Sequence, residues 1–405
     1  MKKTPIANRP HVGIYGNTNA GKSSLFNAIF GQDIAIVSEY RGTTTDPIIK
    51  AMELNPYGPI ALIDTGGLDD NTEVGIKRMA KTKNMLFRTD LALYVADISD
   101  FNEDDYKKIV LQFERYKIPH ILVFNKIDQV TEIERKRMEL KYKDSVFIIL
   151  DDEDSINSLK DRIGDELQKL EVKEDTIIGD ILPSQSTVVL VIHLDEAAPR
   201  GRIILPQVQL IRDCLDHGIK AMVVRETELT QTLRELQKVD LVVTDSQIFK
   251  MVSDMVPENI ILTSFSMLFA NQKGDIDLLI RGVYEIENLA DGSRILMAEG
   301  CSHSLTHEDI GRVKIPNLLK KYIGKELKFD FYSGYDFPGN LSDYDLVIHC
   351  GACMLNKKAV HTRLWFCEDM GIPVTNYGVI LAYLNGILPR CSEIFHLKNE
   401  VKTYD

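Results

Sequence analysis

The sequence predicts an α/β protein of three successive domains, with mainly parallel sheets in the second and third. Three observations predict it. Short apolar runs such as "HVGIYG", "PIALIDTGG" and "ILVFNKID" alternate with helical stretches along all 405 residues, as strands joined by crossover helices do. A glycine-containing loop links the first apolar run directly to the first helical stretch. The alternation is interrupted at "VKEDTIIGDILPSQS", which is charged and then Pro/Ser-containing. A chain of this length exceeds what one core usually fills. The expected domains are 1–173, 184–268 and 269–405.

Composition narrows the function classes. The hydrophobic share is 44% and the charged share 27%, as in ordinary globular proteins. A formal charge of -12 argues against a protein that coats nucleic acid, because phosphate neutralisation needs clustered Lys and Arg. No apolar run reaches the roughly 18 residues of a membrane span. The N-terminal "MKKTPIANRPHVGIYG" lacks the apolar stretch of a signal peptide. The expectation is a cytoplasmic protein with no nucleic-acid or membrane partner. The six cysteines do not read as a disulfide framework in that setting. Cys214, Cys367 and Cys391 sit among apolar residues and are expected in cores, whereas Cys301, Cys350 and Cys353 stand near histidines.

In "HVGIYGNTNAGKSSLFNAIFG" a strand, a loop and a helix follow in order, and Gly16, Gly21, Lys22 and Ser23 complete a G-x-x-x-x-G-K-S pattern. Backbone N–H groups of such a loop curl around phosphates, and the helix that follows turns its positive end toward them. Lys22 is expected to reach the β and γ phosphates, and the Ser23 hydroxyl to ligate Mg²⁺. Asn17, Asn19, Ala20 and Ser24 complete the expected nucleotide contacts in this loop. A second strand ends in Asp64-Thr65-Gly66-Gly67. There Asp64 is placed to hold Mg²⁺ through water, and Gly67 to meet the γ-phosphate with its N–H. A third strand ends in Asn125-Lys126-Ile127-Asp128. The Asp128 carboxylate can accept two hydrogen bonds from guanine, a pair that adenine does not offer. The Lys126 stem is expected along the base. The ligand is therefore GTP or GDP.

Residues 11–170 resemble the GTPases of tRNA modification and ribosome assembly. The resemblance rests on the motifs above and on "RGTTTD" at Arg41–Asp46. It implies that Thr44 is the switch threonine on Mg²⁺ and that Asn19 supports a K⁺ ion. Leu68 stands where a water-orienting Gln would sit, and an apolar side chain cannot orient water. The resemblance implies slow GTP hydrolysis assisted by K⁺. "FIILDDEDS" replaces the usual Ser-Ala-Lys, which leaves the contact to guanine O6 unassigned.

After the helical "SINSLKDRIGDELQKLE" the middle region reads as strands "TVVLVIHL", "KAMVVRE", "DLVVTDS" and "NIILTSF" separated by helices. Pro206 opens one helix and Gly218 stops it. Val208, Ile211, Cys214 and Leu215 follow its helical spacing. Asp195 and Glu196 read as turn residues. With no catalytic constellation visible, binding or dimerisation is the expected role.

In the C-terminal region two strands end in cysteine motifs. "SRILMAEGCSHSLTHEDIG" ends at Glu299-Gly300 before Cys301, His303, His307 and Glu308, and "DYDLVIHCGACML" ends at His349 before Cys350 and Cys353. Parallel strands present these ends on one edge, and the forty-five residues between His303 and His349 leave room for a crossover. Three thiolates with His or Glu nearby suit a [4Fe–4S] cluster with a replaceable ligand. Zinc, a redox dithiol and simple packing remain alternatives. Glu308 lies seven residues beyond Cys301, so it faces the same way if "THEDIGRVKIPNLL" is helical.

C-x-H followed by H-C-x-x-C, behind an N-terminal GTPase, is similar to the [FeFe]-hydrogenase maturation GTPases of the HydF type. The resemblance implies a [4Fe–4S] cluster on Cys301, Cys350 and Cys353. The remaining ligand would come from His303, His307, Glu308, His349 or outside. It also implies a homodimeric scaffold that carries a transient di-iron precursor. The implied partners are radical-SAM maturation enzymes and the immature [FeFe]-hydrogenase. Two other classes remain: a tRNA-modification or ribosome-assembly GTPase, and a GTP-regulated C-x-x-C oxidoreductase.

Overall fold

The computed structural model describes residues 5–31, 39–40, 48–65, 84–170, 176–194, 203–300, 309–352 and 354–401. The chain divides into two compact units, Met1–Glu174 with Asn356–Thr362, and Asp175–Leu355 with Arg363–Asp405.

The first unit begins with β1 (His11–Tyr15), α1 (Lys22–Gly31), β2 (Glu39–Tyr40), β3 (Ile48–Leu54) and β4 (Gly58–Asp64). It continues with β5 (Leu91–Asp97), α2 (Glu103–Arg115), β6 (His120–Asn125), α3 (Glu132–Lys141), β7 (Val146–Phe147) and α4 (Glu153–Leu170). The sheet order is β2-β3-β4-β1-β5-β6-β7. It is parallel from β4 to β7, with β3 antiparallel to β4 and to β2. Every residue of β1 is buried, as expected for a central strand covered on both faces. Ile156, Leu159, Ile163 and Leu167 recur at helical spacing on α4 and join Leu25, Phe26 and Ile29 of α1 in one core. Asn102 caps α2 by accepting from the N–H groups of Asp104 and Asp105, satisfying donors that a helix start leaves unpaired.

A partly buried polar cluster sits at the start of β1 in this unit. His11 N–H donates to Asp90 Oδ2 at 2.7 Å. Asn356 Nδ2 donates to the same oxygen at 3.1 Å and to Arg88 O at 2.8 Å. Burial pushes the Asp90 carboxyl up to about 6, against the pull of His11 N–H, the Lys358 charge and Asn356. Burial, with the charge of Arg88, holds the His11 imidazole down at about 3.

The chain then forms β8 (Thr187–Val191), α5 (Leu205–Asp216), β9 (Lys220–Val224), α6 (Leu229–Glu235), β10 (Leu241–Thr244), α7 (Phe249–Met255) and β11 (Ile261–Ser264). These strands make an all-parallel sheet, β11-β10-β8-β9. After α8 (Phe265–Lys273) and α9 (Ile276–Tyr284) come β12 (Arg294–Glu299), α10 (Ile315–Ile323), β13 (Lys328–Ser333) and β14 (Leu346–His349). The chain closes with α11 (Lys357–Asp369), β15 (Val374–Asn376), α12 (Tyr377–Leu384) and α13 (Leu388–Val401). The third sheet, β13-β12-β14-β15, is also all parallel. Arg390 of α13 donates to the carbonyls of Val256 at 2.8 Å and Pro257 at 2.7 Å. It thereby satisfies acceptors just past the end of α7. Thr263 Oγ1 donates to Cys391 O at 3.0 Å.

Cys214, Cys367 and Cys391 are buried, as their apolar surroundings predict, and burial pushes each thiol up to about 12. The fold adds two details. On α5, Leu210 and Cys214 are buried, but Val208 and Leu215 are 44% and 69% exposed. The apolar stripe is wider than the surface its own sheet covers. The helix expected over "THEDIGRVKIPNLL" begins at Ile310, with a π-type turn Ile310–Lys314 leading into α10. Asp309 is its N-cap and accepts from Arg312 N–H. Glu308, for which that spacing was invoked, lies outside the described residues. Among the described residues, no helix is long and apolar enough to cross a membrane.

Candidate nucleotide and thiolate sites

In the first unit the phosphate loop joins β1 to α1 and presses on the Asn125–Asp128 motif. Gly21 adopts φ +95, and a Cβ there would lie 2.3 Å from Asn125 Nδ2; only glycine suits both demands. Asn125 Nδ2 donates to Ala20 O at 3.1 Å, so the asparagine holds the loop rather than only following it. Lys22 is buried, and its Nζ donates to Asn17 O at 2.5 Å. Ser23 Oγ donates to Asp64 Oδ2 at 2.7 Å. Two residues expected to share one Mg²⁺ thus already meet. Thr65 Oγ1 donates to Ile14 O at 2.6 Å, fastening the end of β4 to β1.

Lys126 adopts φ +62. Its Nζ donates to Asp97 Oδ2 at 2.6 Å and to Asn19 O at 3.1 Å. Burial opposes the Asp97 charge, but hydrogen bonds from Lys126 and Ser99 outweigh it and hold that carboxyl below its usual range. Asp97 was not visible as a site residue in sequence, although its place at the end of β5 was a signal. Asn19 and Asp128 are both exposed. Gly16 and Ser24 also lie in the described loop and helix start. A Cβ on Gly21 would sit 3.7 Å from Leu150 Cδ1, so the Ile149–Asp152 turn lies beside the loop. Thr44, Gly67 and Leu68 lie outside the described residues.

In the second unit β12 and β14 are adjacent and parallel, with Ala298 paired to His349. Their ends therefore open on one edge. Gly300 N–H donates to Cys350 Sγ at 2.8 Å, and Ala352 N–H to the same sulfur at 3.3 Å. Gly300 permits this approach, since a Cβ there would sit 3.3 Å from Cys350 Sγ and 3.2 Å from Leu355 Cγ. N–H donors and nearby positive charge favour a thiolate. The charge comes from Arg363, which interacts with Cys350.

Arg363 is 1% exposed, and burial lowers it to about 10, so it stays cationic at neutral pH. Its guanidinium lies 4.9 Å over the Phe337 ring, and its NH2 donates to Gly334 O at 2.8 Å. NH1 lies 3.2 Å from His349 Nε2. His349 Nδ1 lies 2.9 Å from Cys350 O. Burial and the Arg363 charge hold the His349 imidazole down at about 3. A second buried cation, Lys273 of α8, donates to Ala352 O and Leu355 O at 3.2 Å each. Glu299, ending β12, is paired with Arg312 at 2.9 Å. Arg363, Lys273 and Arg312 carried no signal in the sequence, because each is distant from the cysteine motifs or embedded in an ordinary helix. Of the expected ligands, His349 and Cys350 are described, while Cys301, His303, His307, Glu308 and Cys353 lie outside the described residues. The environment of Cys350 fits an anionic metal–thiolate group.

Comparison with known proteins adds three findings. Residues 277–394 match the family model described as the hydrogen maturase F tetramerization domain, and residues 177–274 match the hydrogen maturase F dimerization domain. Residues 11–126 match the 50S ribosome-binding GTPase model. Among curated proteins, GTPase Der of Campylobacter hominis is 38% identical over 162 residues, 40% of this chain and 33% of that protein. The tRNA modification GTPase MnmE of Mesoplasma florum is 28% identical over 214 residues, 52% of this chain and 42% of that protein. The chain thus spans well under half the length of these relatives. A solved structure, the G domain of the T. maritima FeoB iron transporter, is 25% identical, with a TM-score of 0.32. It covers 40% of this chain and all of that one.

Proposed function

This chain is a GTPase of the hydrogen maturase F type, and on that premise we propose that it is a scaffold for iron–sulfur assembly. In this reading Cys301, Cys350 and Cys353 hold a [4Fe–4S] cluster in a domain spanning 269–405. The observation that carries it is the Cys350 sulfur, which receives N–H groups from two strand-end loops, one of them contributed by the residue just before Cys301. When bound, the cluster supplies an iron position able to exchange its outer ligand. His303, His307, Glu308 and His349 are the candidate protein groups for that position. The cargo is a di-iron precursor, received from radical-SAM enzymes and passed to an immature [FeFe]-hydrogenase in the cytoplasm.

In the G domain, assigned to 1–173, Lys22 binds the β and γ phosphates. Ser23 and Thr44 ligate Mg²⁺, Asp64 orders its water, and the Gly67 N–H meets the γ-phosphate. Gly16, Asn17, Ala20, Gly21 and Ser24 line the phosphates, while Asn125, Lys126 and Asp128 hold guanine. The Ile149–Asp152 turn takes the O6 contact. Hydrolysis is slow, because Leu68 cannot orient water, and K⁺ held with Asn19 would supply the positive charge that an arginine gives in other GTPases. Equal hydrolysis rates in Na⁺ and K⁺ would remove that role.

The dimerization and tetramerization domains suggest self-association, and we assign dimerisation to 184–268. Its exposed edge is β9, where Met222 and Val223 are 42% and 43% exposed, beside Val208 and Leu215 of α5. An apolar parallel edge invites pairing with a second copy.

Anaerobic reconstitution with iron and sulfide tests the scaffold reading. The expected result is a cluster signal in the wild type that is lost or altered in Cys301→Ala, Cys350→Ala and Cys353→Ala. A chain that binds no iron but shows a titratable dithiol contradicts it. Retention on RNA at physiological salt would point instead to an RNA-directed GTPase.

A further inference from the structure

We propose that Arg363 is a positioning residue that fixes His349 as a non-ligating strut behind the Cys350 thiolate. The inference rests on the cluster reading above and answers one of its open points, the role of the histidine that precedes Cys350.

Hydrogen-bond chemistry carries it. A guanidinium has five donors and no acceptor. The 3.2 Å contact between Arg363 NH1 and His349 Nε2 therefore runs from arginine to imidazole, and Nε2 is the acceptor. A neutral imidazole with one bare nitrogen carries its proton on the other. Nδ1–H then donates to Cys350 O at 2.9 Å, closing the chain Arg363–His349–Cys350. Both ring nitrogens are committed, and Nε2 has no lone pair left for iron.

The strut is itself anchored. Arg363 and His349 are 1% and 3% exposed. The guanidinium is held from its other side by Gly334 O at 2.8 Å and Asp336 O at 3.3 Å, and by the Phe337 ring. On the far side of the loop Lys273 holds Ala352 O and Leu355 O. Ala352 sits at φ +52 between the two cysteines of the motif. This strained turn keeps its N–H on Cys350 Sγ. Outer groups of this kind orient ligands and tune the metal without touching it. The protein ligand for the exchangeable position, if there is one, must come from outside the His349–Arg363 pair.

The test uses the full-length chain, ¹⁵N-labelled at histidine, with His349→Asn, Arg363→Lys and Arg363→Met. In the metal-free protein, ¹⁵N NMR is expected to show, besides the Nδ1–H of His217 that donates to Asp213 O at 2.8 Å, a further Nδ1–H imidazole that disappears in His349→Asn and changes in Arg363→Met. After anaerobic reconstitution, pulsed EPR of the reduced cluster is expected to show the same histidine couplings in wild type and His349→Asn. Arg363→Met is expected to lose iron to a chelator about 10-fold faster or more, with Arg363→Lys intermediate. A strong nitrogen coupling lost in His349→Asn, an Nε2–H form for His349, or unchanged iron release in both Arg363 variants overturns the inference. A wild type that takes up no cluster while keeping the Nδ1–H form overturns the scaffold reading instead, and the positioning role falls with it.

Discussion

Ser23 Oγ and Asp64 Oδ2 lie 2.7 Å apart, although forty residues of chain separate them. The contact brings the start of α1 to the end of β4, and it exists because β1 and β4 pair in parallel, Ile14 opposite Asp64.

Removing the hydroxyl should weaken Mg²⁺-dependent nucleotide binding more than Mg²⁺-free binding. Ser23→Ala is expected to lose about 1.5–3 kcal/mol, tenfold or more in affinity. Titration of a fluorescent GDP with and without Mg²⁺ checks this. An equal loss under both conditions would show that the hydroxyl only shapes the loop.

Base selection should follow the charge at Asp128. In the proposed site the carboxylate would accept from two guanine donors, whereas an asparagine presents an amide donor beside its acceptor. Asp128→Asn is expected to lower GTP affinity by about 100-fold, at the cost of roughly 3 kcal/mol for a charged hydrogen-bond pair. Xanthosine triphosphate should recover part of the loss. Competition between the two nucleotides gives the answer directly.

His11 and Asp90 should impose opposing pH dependences on the first unit. His11 titrates near 6.5 when unfolded and near 3 when folded. Unfolding below about pH 6.5 therefore takes up a proton, and this group's contribution falls as pH drops. Asp90 titrates near 3.8 when unfolded and near 6 when folded. The folded state keeps its proton across that interval, so the Asp90 contribution rises as pH drops. Calorimetric melting of the nucleotide-free chain between about pH 7 and about pH 5 separates them. Asp90→Asn is expected to lose stability on acidification more steeply than wild type, and His11→Gln less steeply. Parallel curves for all three proteins would show that neither group is linked to folding as its burial implies.

Charge on the β9 edge should block self-association. Met222→Lys and Val223→Lys place a solvated ammonium on a strand edge that would otherwise pair. Light scattering is expected to show a smaller assembly for each variant, with GTP binding retained. An unchanged mass would move the interface elsewhere.

The nucleotide site was largely legible in the sequence. Gly16, Gly21, Lys22, Ser23, Asp64 and Asp128 are local in spacing, and phosphate, Mg²⁺ and guanine chemistry demand those residue types at strand ends. The tether from Asn125 to Ala20 and the Lys126–Asp97 pair were not legible. They join segments that meet only because β1, β5 and β6 lie side by side. In the C-terminal region the motif marked Cys350 as a candidate thiolate, but its electrostatic surroundings were not legible. Arg363 is one residue of an ordinary helix until the fold lays it against His349.

By itself the sequence determined the alternating α/β architecture, the guanine-nucleotide loop and the candidate thiolates, because periodicity and short-range spacing are local properties of a chain. The tertiary structure alone decided which buried cation faces Cys350, where the helix after Cys301 begins, and which apolar residues of α5 stay exposed. Those depend on pairing between distant strands. Burial and hydrogen-bond direction are set there, by what the chain places opposite each side chain.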